Sequence, residues 1–320
     1  MISQNIQNWL DVIEKMNNDN TYKLAWGRSI LEYLGNVDVF DDVEISFDEL
    51  SKLIIKYYWN QLYFFNLTQG SNKNKLPVIE QIVRRMIEVY KKETGELTPV
   101  WYERAEKYFK SNKPEYERII KEISNALNKD VCWRFMNIGK VKVPLYVLNQ
   151  KDKTINILKN DALELKEYRF VLSQLLNYRW AQLLEQYNSA PCIAKKVKGL
   201  SDNKVRRNNL TKFKNILLDT FHNHPIDFYT GDLLDDNDIT VDHVIPWSFM
   251  YSDDIWNLVL TSKSNNSSKS NNVPTDEDID RLKKRNSELL NKINDECMRI
   301  ELIEAINNNY VDKFYNSMKL

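Results

Sequence analysis

Residues 239–262, ITVDHVIPWSFMYSDDIWNLVLTS, constrain the fold more than any other stretch of the chain. Elsewhere apolar residues recur mostly at helical spacing. Here ITVDHVIPWSF and NLVLTS read as two strands joined by the loop MYSDDIW, and KSNNSSKSNN follows as a short polar helix or turn. The first strand carries Asp242 and His243 side by side within an apolar run. A buried acid–imidazole pair is costly unless something charged makes use of it. Side chains alternate along a strand, so the two groups point to opposite faces and cannot crowd one ion unless the strand bends.

The rest of the chain reads as mainly α with a small β component. Trp9, Ile13 and Met16 keep helical spacing, as do Tyr22, Trp26, Ile30 and Leu34. Ser46 with Glu49 forms a capping-box pattern, and Ile45 with Leu50 a hydrophobic staple. Pro77 opens a further helix that Gly95 closes. The aromatic run YYWNQLYFF (57–65) falls at helical spacing and reads as core or subunit interface rather than as a platform for stacked bases. At 144–158 the period becomes alternating, which predicts a β-hairpin. A helix follows with Leu172, Leu176, Trp180, Leu183 and Tyr187 on one stripe. Small, polar and basic residues at 188–204 mark a boundary. The expected organisation is a helical domain over 1–190, a basic lead-in and strand-bearing core over 191–275, and helices over 276–320 packing on that core. Helices are expected near 206–221, 276–294 and 297–317, with Thr275 as N-cap of the second.

Lysine plus arginine and aspartate plus glutamate number 45 each, so any nucleic-acid contact must come from a local patch. Cys132, Cys192 and Cys297 lie far apart with no CxxC pair, which argues against a cysteine zinc ribbon and a disulfide framework and fits a reducing cytoplasm. No apolar run is long enough for a membrane span, and the first residues lack the pattern of a secretion signal.

The order strand–loop–strand–helix, with DHVIPWSF, WNLVLTSKSNN and KSNNVP in succession, resembles the ββα-metal core of HNH endonucleases. The run is similar to the HNH domain of the RNA-guided type II CRISPR effector, although a chain of this size without a RuvC-like motif is not that effector. The resemblance implies metal-dependent hydrolysis of DNA to 3′-hydroxyl and 5′-phosphate ends, in restriction or phage defence. It implies Asp242 and Asn266 as ligands of Mg²⁺ or Mn²⁺, His243 as general base, and Asn257 as the residue that pins the loop and orients His243. Lys269 falls where a lysine near the scissile phosphate is found in the similar domain. The chemistry agrees, since a carboxylate suits a hard cation and an imidazole titrates near neutrality. Two departures matter: the core lacks cysteine pairs, and Asp227 stands where relatives often have cysteine. The core is then expected to be held by packing, through Trp247, Phe249, Trp256, Phe228 and Tyr229. The His222 and His224 pair, without a cysteine partner nearby, reads as surface loop.

Lys195, Lys196, Lys198, Lys204, Arg206, Arg207, Lys212 and Lys214 face the single acid Asp202, and beside a nuclease core this patch is expected to contact the DNA backbone. A second basic cluster, Arg281, Lys283, Lys284 and Arg285, is less specific, and the acidic run from Asp232 to Asp238 would repel a duplex. A double-strand break would need a homodimer, sequential nicks or a partner nuclease, and the helical domain could provide dimerisation, sequence choice or docking to a partner defence subunit such as an ATPase. Two other readings stay open: a non-catalytic DNA-binding or assembly subunit, and an RNA nuclease on the same core.

Overall fold

The computed structural model describes residues 2–72, 74–96, 99–188, 190–198, 208–221, 225–269 and 272–319, without the side chain of Lys198. The chain divides into two compact units, one comprising Met1–Glu96, Val100–Asn188 and Ile193–Ser201, the other Leu97–Pro99, Ser189–Cys192 and Asp202–Leu320.

The first unit is helical: α1 (Gln4–Lys15), α2 (Tyr22–Gly35), α3 (Phe47–Trp59), α4 (Val78–Thr94), α5 (Tyr102–Ser111), α6 (Lys113–Asp130), α7 (Lys159–Tyr187) and α8 (Ile193–Lys198). Local signals set several ends. Ser46 accepts a hydrogen bond from the Glu49 amide to cap α3, and Gly95, at φ 68°, closes α4. The aromatic run 57–65 is core: Trp59 is fully buried and meets Tyr63, Tyr90, Tyr102 and Phe109 edge-on at 5.4–6.2 Å. The hairpin expected at 144–158 is present as β4 (Val147–Asn149) and β5 (Thr154–Ile157). It gains a third strand, β1 (Val43–Ser46), paired antiparallel to β5 with Ile45 opposite Ile155. Four residues are too few for a readable alternation, so only the pairing reveals β1. A further short antiparallel pair joins β2 (Asn137–Ile138) to β3 (Val141–Lys142).

The second unit begins with α9 (Thr211–Thr220) and continues through β6 (Ile239–His243), α10 (Trp247–Met250), β7 (Leu258–Ser262) and α11 (Lys263–Lys269). Three helices close it: α12 (Asp276–Lys292), α13 (Glu296–Asn307) and α14 (Tyr310–Lys319). β6 and β7 form an antiparallel pair with Asp242 opposite Val259 and His243 opposite Leu258. Two expectations change here. The first strand ends at His243, because Pro246 has no N–H to donate and the turn it begins folds into α10. The single helix expected near 297–317 is two, broken at Asn309, whose φ is 51°. One apolar core spans the unit, joining Val244, Ile245, Phe249 and Trp256 to Leu282 of α12 and Leu302 of α13. Thr275 caps α12 through a reciprocal pair with Asp278.

Candidate active site

β6 and β7 fix where each polar group of the site stands. A one-residue slip in their register would exchange the faces of Asp242 and His243, and the apolar residues at Val241, Leu258 and Leu260 hold the register against it.

On one side, Asp242 is 7% exposed and its Oδ2 accepts two hydrogen bonds, from the Tyr229 hydroxyl at 2.7 Å and the Lys269 ammonium at 2.8 Å. Lys269 also donates to the His243 carbonyl and lies over the Tyr229 ring. Burial pulls the Lys269 ammonium below its ordinary value, against the opposing pull of Asp242. Burial and the neighbouring Asp242 charge push the Tyr229 phenol well up, so it remains a donor. Oδ1 of Asp242 has no hydrogen bond among the described residues.

On the other side, His243 is 7% exposed and its Nε2 lies 2.9 Å from Oδ1 of Asp253. Asn208 donates to the second Asp253 oxygen at 2.8 Å. Burial raises the Asp253 carboxyl, but hydrogen bonds from His243, Asn208 and Trp247 outweigh it and leave it below the usual carboxylate range. An ionised Asp253 accepts from Nε2–H, and a neutral ring with its proton there keeps Nδ1 as an acceptor. Asn257 is fully buried and grips the residue two beyond the histidine: its Oδ1 accepts from the Ile245 amide and its Nδ2 donates to the Ile245 carbonyl, each at 2.8 Å. The Val244 amide donates to the Asn257 carbonyl at 3.0 Å.

Asn266 lies on α11, which packs against β6 and β7. It is half-buried, and its side chain makes no hydrogen bond among the described residues. No three His, Cys, Asp or Glu side chains gather into a metal cluster among those residues. The donors nevertheless fit a hard divalent ion. One carboxylate oxygen is unengaged, an amide oxygen stands on the adjoining helix, and a buried ammonium marks the demand for positive charge at Asp242. Mg²⁺ is commonly held by one or two carboxylates, with waters and substrate phosphate completing its shell.

Two residues of the site carry roles that spacing alone did not assign. Asp253 stood in a loop read only as a connection. Asp227 was marked as a departure, and packing alone was expected to hold the core. In fact Asp227 is 2% exposed and collects five donors: the Tyr229 and Thr230 amides on Oδ1, and Thr261 Oγ1, the Ser262 amide and Asn265 Nδ2 on Oδ2. Burial raises its carboxyl and these donors more than offset that, so it lies below its ordinary value. The turn it starts ends at Gly231, whose amide returns to the Asp227 carbonyl at φ 82°. One carboxylate therefore ties this turn, the end of β7 and the start of α11 together. Phe228, Phe249 and Trp256 are buried in the surrounding core.

Two lysines of the basic lead-in are engaged within the fold rather than open to solvent. Lys196 is fully buried in the first unit, its ammonium 5.9 Å from the Phe65 ring centre, because α8 packs on α7; it cannot meet a phosphate there. Lys214 is half-buried and donates to the Ile239 carbonyl at 2.8 Å, anchoring the start of β6. Lys195 and Lys212 are exposed. Lys204, Arg206, Arg207 and the side chain of Lys198 lie outside the described residues, as do His222 and His224. No helix among the described residues is long and apolar enough to cross a membrane.

Residues 227–275 match the family model described as HNH endonuclease. No solved structure matches the chain.

Proposed function

Residues 227–275 form an HNH endonuclease domain, and from that premise we propose that the protein hydrolyses DNA with a divalent ion and His243 as general base. The observation that carries this reading is the Asp253–His243 contact at 2.9 Å. It engages Nε2, fixes the ring and leaves Nδ1 to take the proton of an attacking water. Asn257 holds the backbone just beyond the histidine, so the imidazole is restrained at both ends. Asp242 and Asn266 would hold Mg²⁺ or Mn²⁺. When bound, the ion neutralises charge developing on the phosphate and assists departure of the 3′ oxygen. Lys269 adds a positive charge beside Asp242, and among the described side chains of the lead-in Lys195 and Lys212 are exposed to backbone phosphates.

One such module cuts one strand per engagement, so a double-strand break requires a second copy, a second nick or a partner. Similarity to the type II CRISPR HNH domain supports a setting in restriction or anti-phage defence, with a homodimer or a partner nuclease supplying the second cut and the helical domain available to dock a defence subunit such as an ATPase. Plasmid nicking with Mg²⁺, Mn²⁺ or EDTA tests the reading. His243→Ala is expected to reduce metal-dependent cleavage by about 10²–10⁴-fold. Equal cleavage by native and mutant protein would remove His243 from the mechanism.

A further inference from the structure

The basic cluster on α12 is not absorbed by the nuclease site. Arg281 and Arg285 lie one turn apart on one helical face, and with Lys284 and Lys292 they line a cavity of about 410 Å³ within the second unit. Its other walls are apolar and include the rings of Phe221 and Phe228. The volume lies in the range of small-molecule sites, about 300–1,000 Å³. Two acids also line the cavity among the described residues, but Asp227 is occupied by its five donors, which leaves Glu288 to oppose four cations. Lys292 stands over Phe221 at 5.5 Å and Arg281 over Phe228 at 5.6 Å.

Arg285 is the unusual member. Its Nε is buried and has no hydrogen-bond partner among the described residues, and its two outer nitrogens make only long contacts, 3.3 Å, to the Ile255 and Trp256 carbonyls. Burial pulls its pKa down to about 9. Outer guanidinium nitrogens held only by long contacts to neutral carbonyls are free to exchange them for stronger bonds to an anion. Aromatic walls beside it suit a flat ring, since bases stack on such side chains irrespective of their identity.

Both arginines also hold backbone that serves the site. Arg281 donates to the Phe228 and Tyr229 carbonyls at 2.8 and 2.7 Å, in the turn whose Tyr229 hydroxyl reaches Asp242. Arg285 reaches the segment between Asp253, which touches His243, and Asn257, which grips Ile245.

We propose that this cavity binds a nucleotide, with its base against Phe221 and Phe228 and its phosphate among Arg285, Lys284 and Lys292, and that occupancy is relayed to the nuclease site through Arg281 and Arg285. The relay rests on the nuclease reading above; the binding does not. The nucleotide is either a free effector or a unit of a nucleic-acid strand, which present the same base and phosphate to the pocket.

Calorimetric titration of the full chain in EDTA, with dAMP, deoxyadenosine, inorganic phosphate and decanoate as probes, tests the binding without any cleavage. dAMP is expected to bind saturably and about tenfold more tightly than deoxyadenosine or phosphate alone. Arg285→Ala releases two carbonyls and can fail to fold, so the informative variant is Lys284→Glu with Lys292→Glu, both exposed. It is expected to keep the native Tm and lose about tenfold in dAMP affinity. No dAMP binding at millimolar concentration, or equal binding by the double variant, overturns the site. Phosphate binding as tightly as dAMP makes it a bare anion site, and preference for decanoate makes it an acyl pocket; either overturns the nucleotide assignment. Displacement of dAMP by a 5′-phosphorylated oligonucleotide supports a strand as the source, and persistence of dAMP supports a free effector. Saturating dAMP is expected to change the plasmid nicking rate of native protein and not that of the double variant. An unchanged native rate overturns the relay. Absence of any nicking overturns the nuclease reading and leaves the binding result standing.

Discussion

Asp227 and Asp242 are buried carboxylates of the same nuclease domain, and the fold treats them in opposite ways. Asp227 takes five neutral donors across its two oxygens. Asp242 takes a phenol and an ammonium on one oxygen and leaves the other unengaged. A saturated carboxylate can only hold structure, since any new ligand must displace a hydrogen bond already made. A carboxylate with an open oxygen and a cation beside it retains capacity for another partner. The satisfaction of its lone pairs, rather than burial, separates the structural acid from the one proposed to hold the ion.

Substituting each acid gives the largest contrast. Asp242→Asn keeps the side-chain shape but leaves the buried Lys269 ammonium without its carboxylate, and it is expected to lower metal-dependent nicking by the folded protein by about 10³-fold, equivalent to about 4 kcal/mol of transition-state stabilisation. Asp227→Ala leaves buried amide and hydroxyl donors unpaired and is expected to cost about 3 kcal/mol of stability. Its activity should fall only where the second unit unfolds. The Asp227 carboxyl lies below its ordinary value in the fold. Its contribution is therefore complete above the unfolded pKa, about 4, and is lost as pH falls through the lower folded value. Native protein should lose Tm steeply across that acid window, and Asp227→Ala should lose less. Equal losses of stability and activity in the two variants would erase the distinction.

The sequence made part of this contrast legible. The order of β6, β7 and α11 could be read because strand alternation and the Asn-rich turn are local signals. Local patterns likewise revealed the helical first unit, its capped ends and the hairpin near 144–158. What could not be read depends on which distant groups meet. Asp227 is visible as an acid in an unusual place, but its bonds to Thr261, Ser262 and Asn265 need β7 and α11 folded beside it. Asp253 is one of two adjacent loop acids, and only the return of the loop selects it for His243. Lys196 looks like its basic neighbours until helix packing turns it inward. The strand at 43–46 is too short to announce itself.

Asp253 provides an intermediate effect on the same scale, because it serves the site through another residue. Asp253→Asn can present either its oxygen or its amine to Nε2, so the histidine no longer has one enforced tautomer. The expected result is a fall in kcat of about 10–100-fold, comparable with loss of other side chains that orient a functional histidine. KM for DNA and Tm should be nearly unchanged. Single-turnover nicking with enzyme in excess over DNA measures the step directly, and an unaltered rate would mean that His243 is positioned by Asn257 and the strand alone.

Glu301 extends the comparison to an acid with few donors that touches neither Asp242 nor His243. It accepts the Ile255 amide at 2.6 Å, while burial first and then the nearby Asp254 charge push its carboxyl up to about 7. The sign is opposite to that of Asp227. The folded state binds this proton more tightly than the unfolded chain, so stability is undiminished below the unfolded pKa of 4.5 and declines as pH rises toward about 7. Glu301→Gln keeps an oxygen for the Ile255 amide and cannot ionise. It should raise stability by about 1 kcal/mol near pH 8, allowing for solvent screening, and change little near pH 5. Thermal melts of both proteins at the two pH values measure the difference. A gain of equal size at both would assign it to packing rather than to charge, and the ordering of these three acids by lone-pair satisfaction would then fail at its weakest member.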